Sequence, residues 1–285
     1  MADDHRCDAD ADIAAILALR GAQGADHWTT ADRRLLKGAP FSTVECIDYL
    51  LDLGVSATDP VLAEPIGLVL AAWRADGRFQ LYPKGARLPC HTAQAARLLC
   101  RAGLVADPRV QTSLDYLLAS RFQQTGWRCN KFSFGRGPET EFANPHPTLV
   151  ALDAFRHTKK QEALAKLDGA IEFLLGHWDT RAPLGPCHYG IGTLFGQVEY
   201  PFRSYNLFYW VYVLSHYPTA RRDARFQAAF AQLAARSVDG QTIIERTSPK
   251  LARLTCFAKG RPSALATRRY LEVQANLRDD PGLVA

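Results

Sequence analysis

Cysteine, histidine and acidic side chains are the groups in this chain best suited to chemistry, and several of them fall with Lys and Arg in a few short stretches. Pro89-Cys90-His91-Thr92 is the first, and Trp127-Arg128-Cys129-Asn130-Lys131 the second. Pro138-Glu139-Thr140-Glu141 and Asn144-Pro145-His146-Pro147 follow, then Gly185-Pro186-Cys187-His188-Tyr189 and Pro201-Phe202-Arg203-Ser204-Tyr205. Thiolate and imidazole are zinc ligands, and a helix N-terminus favours the thiolate. Cys90, Cys129 and one of His146 or His188 make the best ligand set, with zinc as the candidate cofactor. Cysteine also packs as a small hydrophobe, and the seven Cys contain no C-x-x-C pair, so packing is the competing reading.

Other residues suggest acid–base and binding roles. Glu139 or Glu141, if buried against an apolar wall, has the raised pKa of a general acid; a loop salt bridge to Arg136 or Arg128 is the alternative. His91 and His146 are candidate proton carriers. Arg128, Lys131, Arg136 and Arg203, beside helix N-termini, suit an anionic diphosphate or carboxylate head. Trp127, Tyr205 and Tyr209, with Phe132, Phe134, Phe208 and Trp210, could hold a hydrophobic ligand; ordinary core packing is the alternative. The adjacent pairs Cys90-His91 and Cys187-His188 do not make dyads, because sequence neighbours on a helix do not face each other.

The elements that position these residues are helical and repeated. Helices are expected over about Thr43–Leu53 and Pro60–Trp73, then Thr92–Arg101 and Pro108–Ser120. Pro147–Phe155 and Ala163–Leu175 form a third pair, and Tyr205–Tyr217 and Asp223–Ala235 a fourth. Asp59-Pro60 and Asp107-Pro108 read as an N-cap followed by proline in the first turn. Gly77, Gly126, Gly176 and Gly240 close the units at a quasi-period of about fifty residues, with one insertion before the last. One helix of each pair is small and apolar and the other is amphipathic, which favours hairpins closed into a ring. Parallel inner helices gather their N-termini, and so the reactive stretches, around one mouth. Helices near Ala11–Arg20 and Ser263–Leu277 flank the ring.

This alternation, with turns ending in Gly-x-Trp (Gly176-His177-Trp178) or Asp-Gly-x-Phe (Asp76-Gly77-Arg78-Phe79), resembles the α/α-toroid superfamily over residues 40–245. That superfamily includes squalene–hopene-type terpenoid cyclases and protein prenyltransferase β subunits. The resemblance implies an all-α toroid of four or five repeats that binds a hydrophobic, isoprenoid-like substrate. The chain departs from the cyclase pattern by lacking Asp-x-Asp-Asp; its nearest match is Asp8-Ala9-Asp10-Ala11-Asp12. His91-Thr92 is similar to one element of the prenyltransferase zinc site, but no Asp-x-Cys accompanies it.

Composition bounds the rest. At 285 residues, 47% hydrophobic and 22% charged, the chain has ample core for one domain. We expect residues 1–285 to form it, with an acidic flexible tail (1–12), a repeat core (40–245) and a basic helical extension (246–285). Residues 217–285 hold twelve Lys/Arg against six Asp/Glu, at a spacing that suits a solvated helical face rather than nucleic acid. No apolar run is long enough for a membrane span, and the acidic start is unlike a signal peptide, so a cytoplasmic chain with reduced thiols is expected. The expected function is terpenoid-cyclase- or prenyltransferase-like, on a small hydrophobic or amphipathic ligand in the ring cavity. A non-catalytic helical-repeat interaction module and a zinc-dependent transferase are the alternatives.

Overall fold

The computed structural model describes residues 7–128 and 142–280. Helices dominate them: α1 (Ala9–Ala18), α2 (Thr43–Asp52), α3 (Pro60–Ala71), α4 (Pro89–Leu99), α5 (Pro108–Ala119) and α6 (Pro145–Phe155) come first. The order continues with α7 (Gln161–Leu164), α8 (Asp168–Thr180), α9 (Leu207–Leu214), α10 (Pro218–Arg221), α11 (Ala224–Ala234) and α12 (Ala264–Arg278). One small antiparallel hairpin pairs β1 (Ser237–Val238) with β2 (Gln241–Thr242).

Local sequence explains where the helices start. Asp59 accepts a hydrogen bond from the Val61 N–H and Asp107 from the Arg109 N–H, each just before a proline whose missing N–H costs nothing in the first turn. Ser42 and Glu45 form a reciprocal capping box at α2. The turns between hairpins are fastened to the next helix by threonines. The Thr92 hydroxyl accepts from the Phe79 N–H (3.1 Å) and the Thr148 hydroxyl from the Trp127 N–H (3.2 Å). Gly77 (φ +80°) and Gly126 (φ +134°) make these turns possible, because a Cβ would drive into Thr112 and Tyr116 in one case and Thr148 in the other. Gly176, expected to close the third unit, instead lies inside α8; the turn falls at Gly185 (φ +70°).

Helix α2 packs on α4, α4 on α6, α6 on α9 and α9 on α12, while α3, α5, α8 and α11 pack on α2, α4, α6 and α9 in turn. Burial separates the two sets. Every residue of α9 and all of α6 except His146 are buried, whereas α3 buries only the stripe Leu62, Pro65, Ile66 and Val69.

The two termini depart from expectation. Residues 9–12 are not a flexible tail but the first turn of α1, and the buried Asp12 carboxylate accepts from the N–H groups of Thr255 (2.7 Å) and Cys256 (2.8 Å). Cys7 and Cys256 form a disulfide, so these two cysteines are not reduced thiols. Helix α12 is likewise no appendage: Arg269 bonds to Asp52 of α2 at 2.7 Å, joining the C-terminal helix to the first of the buried set. The disulfide spans 249 residues and removes a large loop entropy from the unfolded chain. Reduction, or Cys256→Ser, is expected to lower the unfolding free energy by about 3–5 kcal/mol. Denaturant titration with and without reductant checks this, and coincident curves would contradict it.

Candidate functional site

Helices α2, α4 and α6, with the segments before α9, surround a cavity of about 330 Å³. Helix α2 contributes Val44, Glu45, Asp48 and Tyr49, and α4 contributes Cys90, His91, Gln94 and Arg97. His146, Pro147 and Val150 come from α6, and Asn144, Cys187, Tyr189, Phe202 and Arg203 from the loops. Tyr209 of α9 completes the wall.

The charged groups of this wall are already paired. Glu45 accepts from Ser42 at the α2 cap and, through Oε1, from Nε (3.0 Å) and Nη2 (2.7 Å) of Arg203. Burial pulls the Arg203 pKa down, but Tyr49 and Glu45 outweigh it and leave the pKa raised. At the cavity floor Arg97 donates to Asp48, and its Nη1 lies 3.7 Å from Asp153. The Tyr209 hydroxyl donates to Asp153 at 2.9 Å; burial and that carboxylate hold its pKa well above the usual value. Asp153 itself is pushed up by burial, and Arg156 and Arg97 more than reverse this, so it stays ionised.

Beneath the cavity the same pattern continues. Asp48 and Asp52 receive Arg101, Asp52 also receives Arg269, and Arg269 bonds to Glu272 at 2.8 Å. Arg156 donates to Asp153 at 2.5 Å. The space left inside this network is about 20 Å³, room for about one water.

The neutral groups of the wall are less fully used. His146 lies 3.3 Å from the Tyr189 hydroxyl through Nδ1, and burial, helped by the positive Arg97, lowers its pKa to about 4. It is therefore an uncharged imidazole near neutral pH. Asn144 is fully buried, and neither atom of its side-chain amide has a hydrogen-bond partner among the described residues. The Tyr49 hydroxyl is in the same state. An N-cap side chain accepts from the N–H two or three residues on, as Asp59 does from Val61 and Asn206 from Tyr209. Three residues after Asn144 stands Pro147, which has no N–H, and the N–H of His146, two residues on, is not taken up by the Asn144 side chain.

The structure thus brings together Cys90, His91, His146, Arg203 and Tyr209 of the residues expected from sequence. It places others elsewhere. Trp127 is fully buried, donates Nε1–H to the Leu117 carbonyl and stacks on Phe155, so it plugs a turn rather than lining the cavity. Arg128 lies over the Phe122 ring, away from the wall. Tyr205 is core, its hydroxyl 2.9 Å from Nδ1 of the buried His177. His188 is exposed on its turn and does not reach the cavity. Cys129, Lys131, Glu139 and Glu141 lie outside the described residues. Among the described residues no three His, Cys, Asp or Glu side chains are arranged to hold a metal ion; Cys129 of the expected ligand set lies outside them.

Sequence reading did not single out Glu45, Asp48, Tyr49 and Arg97. A signal was available for Asp48 and Arg97, which occupy equivalent places 49 residues apart in successive units.

No protein-family model matches the chain, and no curated protein matches it in sequence. Among solved structures it is similar to two variants of the type II terpene cyclase MstE from Scytonema. One is in complex with its product, merosterolic acid A: 16% identity, 97% of this chain and 78% of that chain covered, TM-score 0.43. The other is in complex with its substrate, geranylgeranyl dihydroxybenzoate: 16% identity, 97% and 77% covered, TM-score 0.41. No helix among the described residues is long and apolar enough to cross a membrane.

The buried histidines make stability depend on pH. His146 and His157 are lowered from 6.5 to about 4, and His216 to about 3, by burial first and then by nearby arginines. Between these values and 6.5 the unfolded chain binds more protons than the folded one, so stability is lost as pH falls. Each histidine contributes about 1.4 kcal/mol per pH unit across that window. Denaturant midpoints measured from pH 7 to pH 4.5 should fall steeply below about 6.5. A flat profile would show that these imidazoles are not held neutral.

Proposed function

We propose that the chain is an α/α toroid of the terpenoid-cyclase and prenyltransferase type, and that its cavity binds and transforms a small, partly hydrophobic molecule. In this reading α2, α4, α6 and α9 are the inner helices and α3, α5, α8 and α11 their outer partners. Helix α12 closes the ring onto α2 through Arg269 and Asp52.

The observation that carries the reading is the cavity itself. It combines aromatic rings (Tyr49, Tyr189, Phe202, Tyr209) with two buried polar groups, the Asn144 amide and the Tyr49 hydroxyl, that have no partner among the described residues. A folded chain without a ligand gains nothing from such groups; each costs about 1–3 kcal/mol when left unsatisfied. At about 330 Å³ the space sits at the small end of ligand pockets, which suits a short prenyl skeleton rather than a long one.

The wall also indicates which chemistry is supported. Phe202 stacks on Tyr209 at 4.9 Å between ring centroids, and such π faces stabilise positive charge developing on an unsaturated chain. His146, an uncharged imidazole beside the Tyr189 hydroxyl, is the proton acceptor that the wall offers to a bound molecule. Initiation by the N-terminal aspartates is disfavoured, because Asp12 is bound to Thr255 and Cys256 and none of Asp8, Asp10 and Asp12 lines the cavity. Glu45 and Asp48 are hydrogen-bonded to arginines.

Val150 of α6 faces the cavity, so Val150→Phe fills it without disturbing the ion pairs. We expect the wild type to bind members of a panel of five- to fifteen-carbon prenyl compounds by calorimetry. Val150→Phe should weaken that binding at least ~10-fold while keeping a near-wild-type melting temperature. Failure of every panel member to bind would leave the helical-repeat interaction module as the better reading.

A further inference from the structure

We propose that the polar end of the ligand is an uncharged hydroxyl group, as in an alcohol or phenol, and that the Asn144 amide selects it. This rests on the cavity reading above and narrows it.

A charged head finds no counterpart here. Both arginines of the wall are matched within it, Arg203 by two bonds to Glu45 and Arg97 by Asp48. A diphosphate would have to break these pairs and leave buried carboxylates facing its own negative charge. A cationic head would meet the same obstacle in reverse, since Glu45 and Asp48 are already saturated by arginine.

The unused capacity is neutral. The Asn144 amide offers a donor N–H₂ and an acceptor carbonyl, both buried and both without a partner among the described residues. A hydroxyl group is the smallest ligand group that gives one hydrogen bond and receives another. The amide is also held in place. Pro147 removes the N–H three residues on, and the Asn144 side chain makes no cap bond to the remaining N–H of His146. From the other side Gly185 packs so closely that a Cβ there would lie 3.1 Å from the Asn144 Cγ. The second unpartnered group, the Tyr49 hydroxyl, lines the same cavity. The aromatic wall then receives the hydrocarbon.

Three ten-carbon probes separate the possibilities: geraniol, geranyl diphosphate and the hydrocarbon myrcene, each titrated into the full chain by calorimetry. Geraniol should bind about 10–100-fold more tightly than either of the others. Asn144→Leu should remove that advantage and leave myrcene unchanged; Asn144→Ala serves the same comparison if the leucine variant does not fold. Tighter binding of the diphosphate, or geraniol binding that ignores both substitutions, would overturn the head-group assignment while the cavity reading stands. Absence of binding by all three probes would remove both.

Discussion

The structure depends on a buried layer of alternating charges that ties helices from both ends of the sequence together. Asp48 and Asp52 of α2, Arg97 of α4 with Arg101 just beyond it, Asp153 of α6 with the adjoining Arg156, and Arg269 of α12 meet where the buried helices end. Each carboxylate there faces at least two guanidinium groups. Burying charge is costly, and only near-complete pairing offsets it; removing one partner from such a set typically costs about 3–5 kcal/mol. The layer therefore specifies the neighbours as well as holding them. An α12 docked elsewhere would strand Asp52 without Arg269.

This constraint also shapes the cavity. Because the charges below are neutralised among themselves, the space above them is closed at its floor by Arg97, Asp48 and Tyr209. The charged side chains of the wall are thus paired with one another, and aromatic and neutral polar groups make up the rest of it. The capping box of Ser42 and Glu45 extends the same economy to the rim, since one carboxylate both caps α2 and fixes Arg203.

Much of the architecture was legible in the sequence because it is written in local signals. Asp-Pro pairs mark two helix starts, glycines mark the turns, and apolar and amphipathic helices alternate as burial later requires. Cys90, His91, His146, Arg203 and Tyr209, which stand out in the sequence, line one cavity. What escaped was relational. Trp127 looked like a ligand contact, but an aromatic after a turn glycine serves to seal the turn, as Phe79 does in the preceding unit. The Cys7–Cys256 bond joins positions whose proximity no local pattern encodes. The unused Asn144 amide became visible only once the helix start was fixed, because Asn-Pro-His-Pro removes one capping N–H, that of Pro147, and leaves another, that of His146. The charge layer had a trace in sequence: Asp48 and Asp52 precede Arg97 and Arg101 by the same 49 residues.

The central claim is that a small molecule completes the cavity by bonding to the Asn144 amide. Electron density from crystals of the protein as purified tests it most directly. The account predicts continuous density for a bound organic molecule between the Asn144 side chain and the rings of Phe202 and Tyr209. A collapsed cavity in which the Asn144 amide bonds to protein groups would contradict it.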